Sequence, residues 1–83
     1  MEKRIFTFGS SQLKDFNVKP ESVMLVVEGV DWLDCREQVF NYDGIGAVFC
    51  TDYAYDDYVD EFKNVYNMKE YTFADLEKIR YGA

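Results

Sequence analysis

The residues most able to do chemistry in this sequence are the acidic and tyrosine side chains of residues 52–61. This run, DYAYDDYVDE, contains five carboxylates, three tyrosines and no basic residue. Its acids do not follow the ligand spacing of a calcium-binding EF-hand loop, and the central glycine of such a loop is absent. The run therefore predicts no metal site and is better suited to contact with another macromolecule.

Two interpretations of this run remain open. The carboxylates can be the solvated face of a helix, where acids near the N-terminus interact favourably with the helix dipole. They can also form a protein-binding patch, because carboxylates along a helix imitate a row of phosphates and exposed tyrosines add contact area. Tyr53 lies outside the apolar stripe of the predicted helix, so we expect it to be exposed. The candidate partner-binding residues are Asp52, Tyr53, Asp56, Asp57, Asp60 and Glu61.

The remaining polar residues form no catalytic or cofactor-binding motif. The sequence has no histidine, which removes the most common general base and the usual partner of a serine or cysteine nucleophile. Cys35 and Cys50 are isolated, without the paired spacing of a zinc site. The spacing of the acids singles out no pair for general acid–base catalysis. We therefore predict a protein that is not an enzyme and needs no metal or cofactor.

Residues 9–11, Gly-Ser-Ser, follow a predicted strand and offer backbone N–H groups near Arg4. The segment is too short for a phosphate-binding loop, since it lacks the distal Gly-Lys-Ser/Thr and a following helix. A simple turn is the first interpretation. Binding of a small molecule, such as a signalling nucleotide, stays open as the alternative.

Composition indicates one small acidic domain spanning residues 1–83. The net charge is −7, and residues 42–83 alone carry nine acids and four bases. Such a chain repels nucleic acid and anionic membranes but suits a basic protein surface. We expect no export signal and no membrane span, and we interpret both cysteines as buried free thiols in the cytoplasm.

The acidic run must be positioned by a sheet built around residues 22–28, the longest apolar run of the chain. Its β-branched residues predict a central strand buried on both faces. Residues 4–8 predict a first strand antiparallel to it. Residues 32–40 predict a helix with Asp31 as its N-cap. Residues 45–51 predict a third strand, parallel to the central one after a crossover.

The acidic run itself is predicted to form the next helix, over residues 55–66. Residues 69–71 then indicate an edge strand or a linker, and Thr72 with Asp75 resembles a capping box that opens a short last helix. The sequence thus predicts an α+β domain of order β-β-α-β-α with a short C-terminal helix. Its three- to four-stranded mixed sheet carries helices packed on it. The apolar stripe of the acidic helix consists of Tyr55, Tyr58, Val59, Phe62, Val65 and Tyr66.

Residues 4–10, RIFTFGS, resemble the start of a group of short bacteriophage and mobile-element proteins whose first strand carries Phe-Thr-Phe-Gly. The resemblance continues through an apolar strand ending in Glu28 and a helix with Arg36-Glu37 and Phe40. It then runs through a glycine-containing strand and an acidic, tyrosine-bearing helix, residues 46–61. Membership implies accessory phage biology, and small acidic phage proteins are often inhibitors of host defence, including anti-CRISPR proteins.

The leading hypothesis is a non-enzymatic inhibitor acting in the cytoplasm of a bacterial host. It would mimic DNA with its acidic, tyrosine-bearing helix face and bind a nucleic-acid-handling defence protein, such as a CRISPR effector. It would bind neither nucleic acid nor membrane directly. The alternatives are a protein that binds a nucleotide signal and a homo-oligomerising structural module.

Overall fold

The computed structural model describes residues 1–9, 12–14, 16–42, 45 and 51–81. The described strands form one mixed sheet on which the helices pack, so the predicted α+β architecture with a short C-terminal helix is confirmed. The elements are β1 (Glu2–Thr7), β2 (Val23–Gly29), α1 (Trp32–Asn41), β3 (Thr51–Ala54), α2 (Tyr55–Asn64), β4 (Lys69–Tyr71) and α3 (Phe73–Tyr81), and a 3-10 turn (Pro20–Ser22) precedes β2.

β1 and β2 form the centre of the sheet, whose order is β3-β1-β2-β4. β1 is antiparallel to both β2 and β3, whereas β2 and β4 are parallel. The predicted central strand is confirmed, since Val23, Met24 and Leu25 are completely buried although their side chains alternate between the two faces.

The third strand differs from its prediction. Of the predicted strand over residues 45–51, residues 46–50 lie outside the described residues, and Cys50 with them. The described strand starts at Thr51 and is antiparallel to β1, so the expected parallel pairing with β2 is wrong for it. The reason is that β1 and β4 already occupy the two edges of β2, which leaves the outer edge of β1 for β3.

The sheet has two unlike faces. Phe6 and Leu25 point to the face covered by α1 and α3, where they pack with Cys35, Val39 and Leu76 in the larger core cluster. Ile5 and Met24 point to the opposite face, where Phe62 of α2 covers them. We call these the α1/α3 face and the α2 face. The acidic helix therefore packs on the side of the sheet opposite α1 and α3.

Asp31 is the N-cap of α1, as predicted. Its carboxylate accepts a hydrogen bond from the backbone N–H of Asp34 at 2.8 Å, and the Asp34 carboxylate accepts one from Val30 N–H at 2.8 Å. Gly29 makes this arrangement possible, because a Cβ there would lie 2.6 Å from the Asp34 carboxylate. Any other residue here would have to displace the capping carboxylate of Asp34, so glycine lets the end of β2 approach the first turn of the helix.

The capping box of α3 is also present. Thr72 N–H donates to the Asp75 carboxylate at 2.9 Å, and Asp75 N–H donates to the Thr72 hydroxyl at 3.2 Å. Cys35 is a buried free thiol, as expected, and burial raises its pKa. None of the described helices is both long enough and apolar enough to span a bilayer.

Candidate protein-binding surface

Asp52, the first acid of the run, is neutralised inside the fold. It lies on β3 opposite Phe6, with its side chain on the α1/α3 face and only 11% exposed. Its carboxylate accepts hydrogen bonds from Arg36 Nη1 at 2.9 Å, Arg4 Nε at 3.2 Å and Trp32 Nε1 at 2.6 Å. The expectation that Asp52 adds charge to an open helix face is therefore corrected.

Tyr53 points to the opposite side of β3 and packs beneath α2. Its ring centroid lies 4.9 Å from that of Phe62, in a T-shaped contact, and 5.0 Å from that of Tyr58. Half-buried in this way, Tyr53 is not the exposed aromatic anchor that we expected. The period of two in β3 is the reason, because it sends Asp52 and Tyr53 to opposite faces of the sheet.

The other four acids of the run form an open surface on α2, which we call the acidic face: Asp56, Asp57, Asp60 and Glu61. All four are exposed. Among the described residues, none of them forms an ion pair with lysine or arginine. Asp56 and Asp57 lie in the first turn of α2, where the helix dipole favours negative charge.

The basic residue of α2, Lys63, does not neutralise the acidic face because it pairs with Glu70 of β4. This hydrogen bond raises the pKa of Lys63 and lowers the pKa of Glu70. The Tyr55 hydroxyl also donates to Glu70, at 3.0 Å, and Lys3 Nζ lies 4.0 Å from the Tyr55 ring centroid. Both lysines are thus held at the β4 side of the helix.

An aromatic groove of about 450 Å³ adjoins the acidic face. Tyr58 stacks on Phe62 at 5.8 Å between ring centroids, and Phe62 contacts Tyr66 at 6.1 Å. Tyr58 and Tyr66 belong to the predicted apolar stripe but are 39% and 61% exposed. Tyr66 follows the end of α2, which is at Asn64 and not at residue 66 as predicted. The groove is lined by Thr7, Phe8, Glu21, Tyr53, Tyr58, Glu61, Phe62, Tyr66 and Met68.

A second aromatic surface, the α1 ridge, lies on the other side of the molecule. The Arg36 guanidinium lies 5.2 Å from the Trp32 ring and 4.8 Å from the Phe40 ring, and its Nη1 donates a hydrogen bond to the Asp52 carboxylate. Trp32 and Phe40 are 49% and 42% exposed. Neither ring is among the candidate binding residues predicted from the sequence. Their i, i+4, i+8 spacing with Arg36 was the signal for a ridge.

Two of the residues that suggested nucleotide binding, Gly9 and Arg4, already have partners within the fold. Gly9 N–H donates to the Gln12 side chain at 2.9 Å, and Arg4 pairs with Glu2 and Asp52. Ser10 and Ser11 lie outside the described residues. A separate depression of about 350 Å³ contains three carboxylates and one lysine, a poor match to phosphate. It is lined by Lys3, Val26, Glu28, Glu70, Tyr71, Thr72 and Asp75.

Within the described residues, no three histidine, cysteine, aspartate or glutamate side chains lie close enough together to hold a metal ion. The candidate functional features are therefore surfaces. The acidic face and the aromatic groove lie on one side of the sheet, and the α1 ridge, centred on Arg36, lies on the other. The chain matches no protein-family model, no curated protein and no solved structure.

Proposed function

We propose that this protein is a non-enzymatic inhibitor whose acidic face occupies the positively charged nucleic-acid channel of a host defence protein, with a CRISPR effector as the leading partner. The observation that carries the proposal is the acidic face itself, with four exposed carboxylates that no base of the described residues pairs. Asp52 and Tyr53, which belong to the fold, are left out of this surface.

The charge density of the acidic face supports mimicry of DNA. Residues 56–61 advance by about 7.5 Å along the helix axis at 1.5 Å per residue. Four carboxylates over that length correspond to one charge per roughly 2 Å, close to the value of about 1.7 Å for a DNA duplex. CRISPR effectors hold nucleic acid in positively charged channels, which such a surface complements.

The resemblance to small phage proteins with a Phe-Thr-Phe-Gly strand supports the same class of function. In that setting the protein acts in the cytoplasm of a bacterial host, where Cys35 stays reduced. Neither DNA nor a membrane is a direct partner in this proposal, since the acidic face repels phosphate.

The test measures binding of fluorescent target DNA to a panel of purified CRISPR effectors, with and without the protein. We expect the protein to block DNA binding by at least one effector. The variant Asp57→Lys/Asp60→Lys should weaken this inhibition by at least about tenfold, because reversed charges face a basic channel. Circular dichroism verifies that the variant is folded.

The matched control is Glu28→Lys/Glu37→Lys, which changes the net charge equally at exposed positions outside the acidic face. This control should inhibit like the unmodified protein. If both variants lose inhibition equally, or if no effector in the panel is inhibited, the proposal is wrong.

A second candidate function, a homo-oligomerising module, is favoured by the α1 ridge, where Trp32, Leu33 and Phe40 are exposed along one helix. Light scattering over a wide concentration range tests it. A monomer at all concentrations removes this candidate, whereas a dimer that Leu33→Ser/Phe40→Ser dissociates supports it.

A further inference from the structure

The aromatic groove beside the acidic face has the composition of a site for a cation. Five rings line it, from Phe8, Tyr53, Tyr58, Phe62 and Tyr66, together with two carboxylates, Glu21 and Glu61. No base is among its described lining residues. Ring faces attract cations through their quadrupole, and a neighbouring carboxylate adds a charged hydrogen-bond acceptor.

The chain itself contains the same arrangement in occupied form. On the α1 ridge, the Arg36 guanidinium lies against two rings, at 5.2 Å from Trp32 and 4.8 Å from Phe40, while the Asp52 carboxylate accepts its hydrogen bond at 2.9 Å. The other cation–ring contacts of the described residues use rings outside the groove: Tyr55 with Lys3, and Phe16 and Tyr81 with Arg80.

We propose that the aromatic groove binds an arginine side chain presented by the basic partner, with the guanidinium against the tyrosine rings and its N–H groups donating to Glu61. This inference rests on the proposed function and names the side chain that the partner contributes. Arginine is favoured over lysine because its planar guanidinium stacks on rings and pairs with a carboxylate through two parallel hydrogen bonds. Glu61 belongs to both the groove and the acidic face, so one partner surface can reach both.

The test uses methyl NMR of the protein labelled at its three methionines. Met68 lines the groove, whereas Met1 is 91% exposed and lies outside its lining. The probe is an acetylated, amidated Gly-Arg-Arg-Gly peptide, compared with its lysine and citrulline counterparts. We expect a saturable shift of the Met68 methyl with a dissociation constant of about 1 mM, several-fold weaker for lysine and absent for neutral citrulline.

Two variants in the groove and one outside it make the test specific. Glu61→Gln and Tyr66→Leu should each weaken arginine-peptide binding by about threefold or more, because one removes the acceptor and the other a ring. Both side chains are exposed, so neither change disturbs the core. The control Asp56→Asn removes the same charge from α2 outside the groove and should leave the binding unchanged within about 1.5-fold.

Any of three results would overturn the arginine site. The arginine and lysine peptides could give equal shifts, Glu61→Gln and Asp56→Asn could weaken binding equally, or the Met68 methyl could show no saturable shift. These outcomes are independent of the inhibition assay. Asp57 and Asp60 do not line the groove, so their reversal can fail to affect inhibition while the peptide still binds, and the reverse can also occur.

Discussion

Tyr42 joins the end of α1 to α3 through its hydroxyl group. Its ring lies 4.7 Å from that of Phe73 and 6.5 Å from that of Phe16, and its hydroxyl donates a hydrogen bond to the Glu77 carboxylate. Burial raises the pKa of Tyr42 to about 12, and the hydrogen bond to Glu77 raises it in the same direction. The neutral phenol is therefore the form that the fold stabilises.

This pKa shift makes the contribution of Tyr42 depend on pH. The unfolded chain has a tyrosine pKa of about 10, below the folded value of about 12. The contribution is therefore complete below about pH 10 and declines as pH rises through about 12. We expect Tyr42→Phe to lower the free energy of unfolding by about 1 kcal/mol near neutral pH, through loss of one hydrogen bond.

Urea unfolding near neutral pH and at about pH 11 checks this prediction. The stability difference between the unmodified protein and Tyr42→Phe should shrink at the higher pH. Tyr81→Phe, a change at an exposed ring, is the control for general effects of alkali. A difference that stays constant with pH would show that the Tyr42 hydroxyl is not the titrating group.

At the level of single residues, the sequence predicted the exposure of an acid correctly where the periodicity of a helix determines it. The prediction was wrong where an acid pairs with bases that are distant in the sequence. Asp56 and Asp57 are exposed because they lie on the outer side of an amphipathic helix. Asp52 is separated by 48 residues from Arg4 and by 16 from Arg36, both of which bind it. No local pattern reveals such pairs, because the pairing of β1 with β3 brings Arg4 to Asp52 and the packing of α1 on the sheet brings Arg36 there.

At the scale of elements, the helices were more predictable than the sheet. The N-cap of α1 and the capping box of α3 follow from residues three positions apart, and both are present. The position of β3 depends instead on which strand edges are free. β1 and β4 flank β2, so β3 pairs with the outer edge of β1. The burial of Tyr53 depended on that pairing, which is why the sequence misplaced it.

Asp52 is the point where three elements meet, since it lies on β3 and binds Arg4 of β1 and Arg36 of α1. We expect Asp52→Asn to lower the free energy of unfolding by about 2 kcal/mol, because the partly buried Arg36 guanidinium loses its counter-ion and Arg4 keeps only its pair with Glu2. Urea unfolding followed by circular dichroism measures the change. The fluorescence of Trp32 should also respond, because its indole N–H donates to the same carboxylate.

Asp57→Asn is the matched control for this change, because it removes an identical charge from an exposed site that forms no ion pair within the described part of the chain. Its effect should stay within about 0.5 kcal/mol. Similar losses for the two variants would mean that Asp52 does not connect β1, β3 and α1 energetically.

For the whole molecule, the two sides of the sheet differ in how their charges are balanced. On the α1/α3 face, Arg4 and Arg36 are paired with acids inside the fold. On the α2 face, the acidic face carries charge that no base of the described residues pairs, and the net charge of −7 adds to the repulsion. Like charges at this spacing oppose the compact state, and the same repulsion is what a basic partner would relieve.

This imbalance predicts that salt stabilises the protein and that α2 is the main source of the effect. Raising NaCl from about 0.01 M to 0.3 M shortens the screening length from about 30 Å to 6 Å. We expect the urea midpoint to rise by about 0.5 M. In Asp57→Asn/Asp60→Asn the rise should be clearly smaller, whereas Glu28→Gln/Glu37→Gln, with the same net charge, should keep most of it. Equal salt responses in the two variants would mean that net charge alone, and not the acidic face, sets the repulsion.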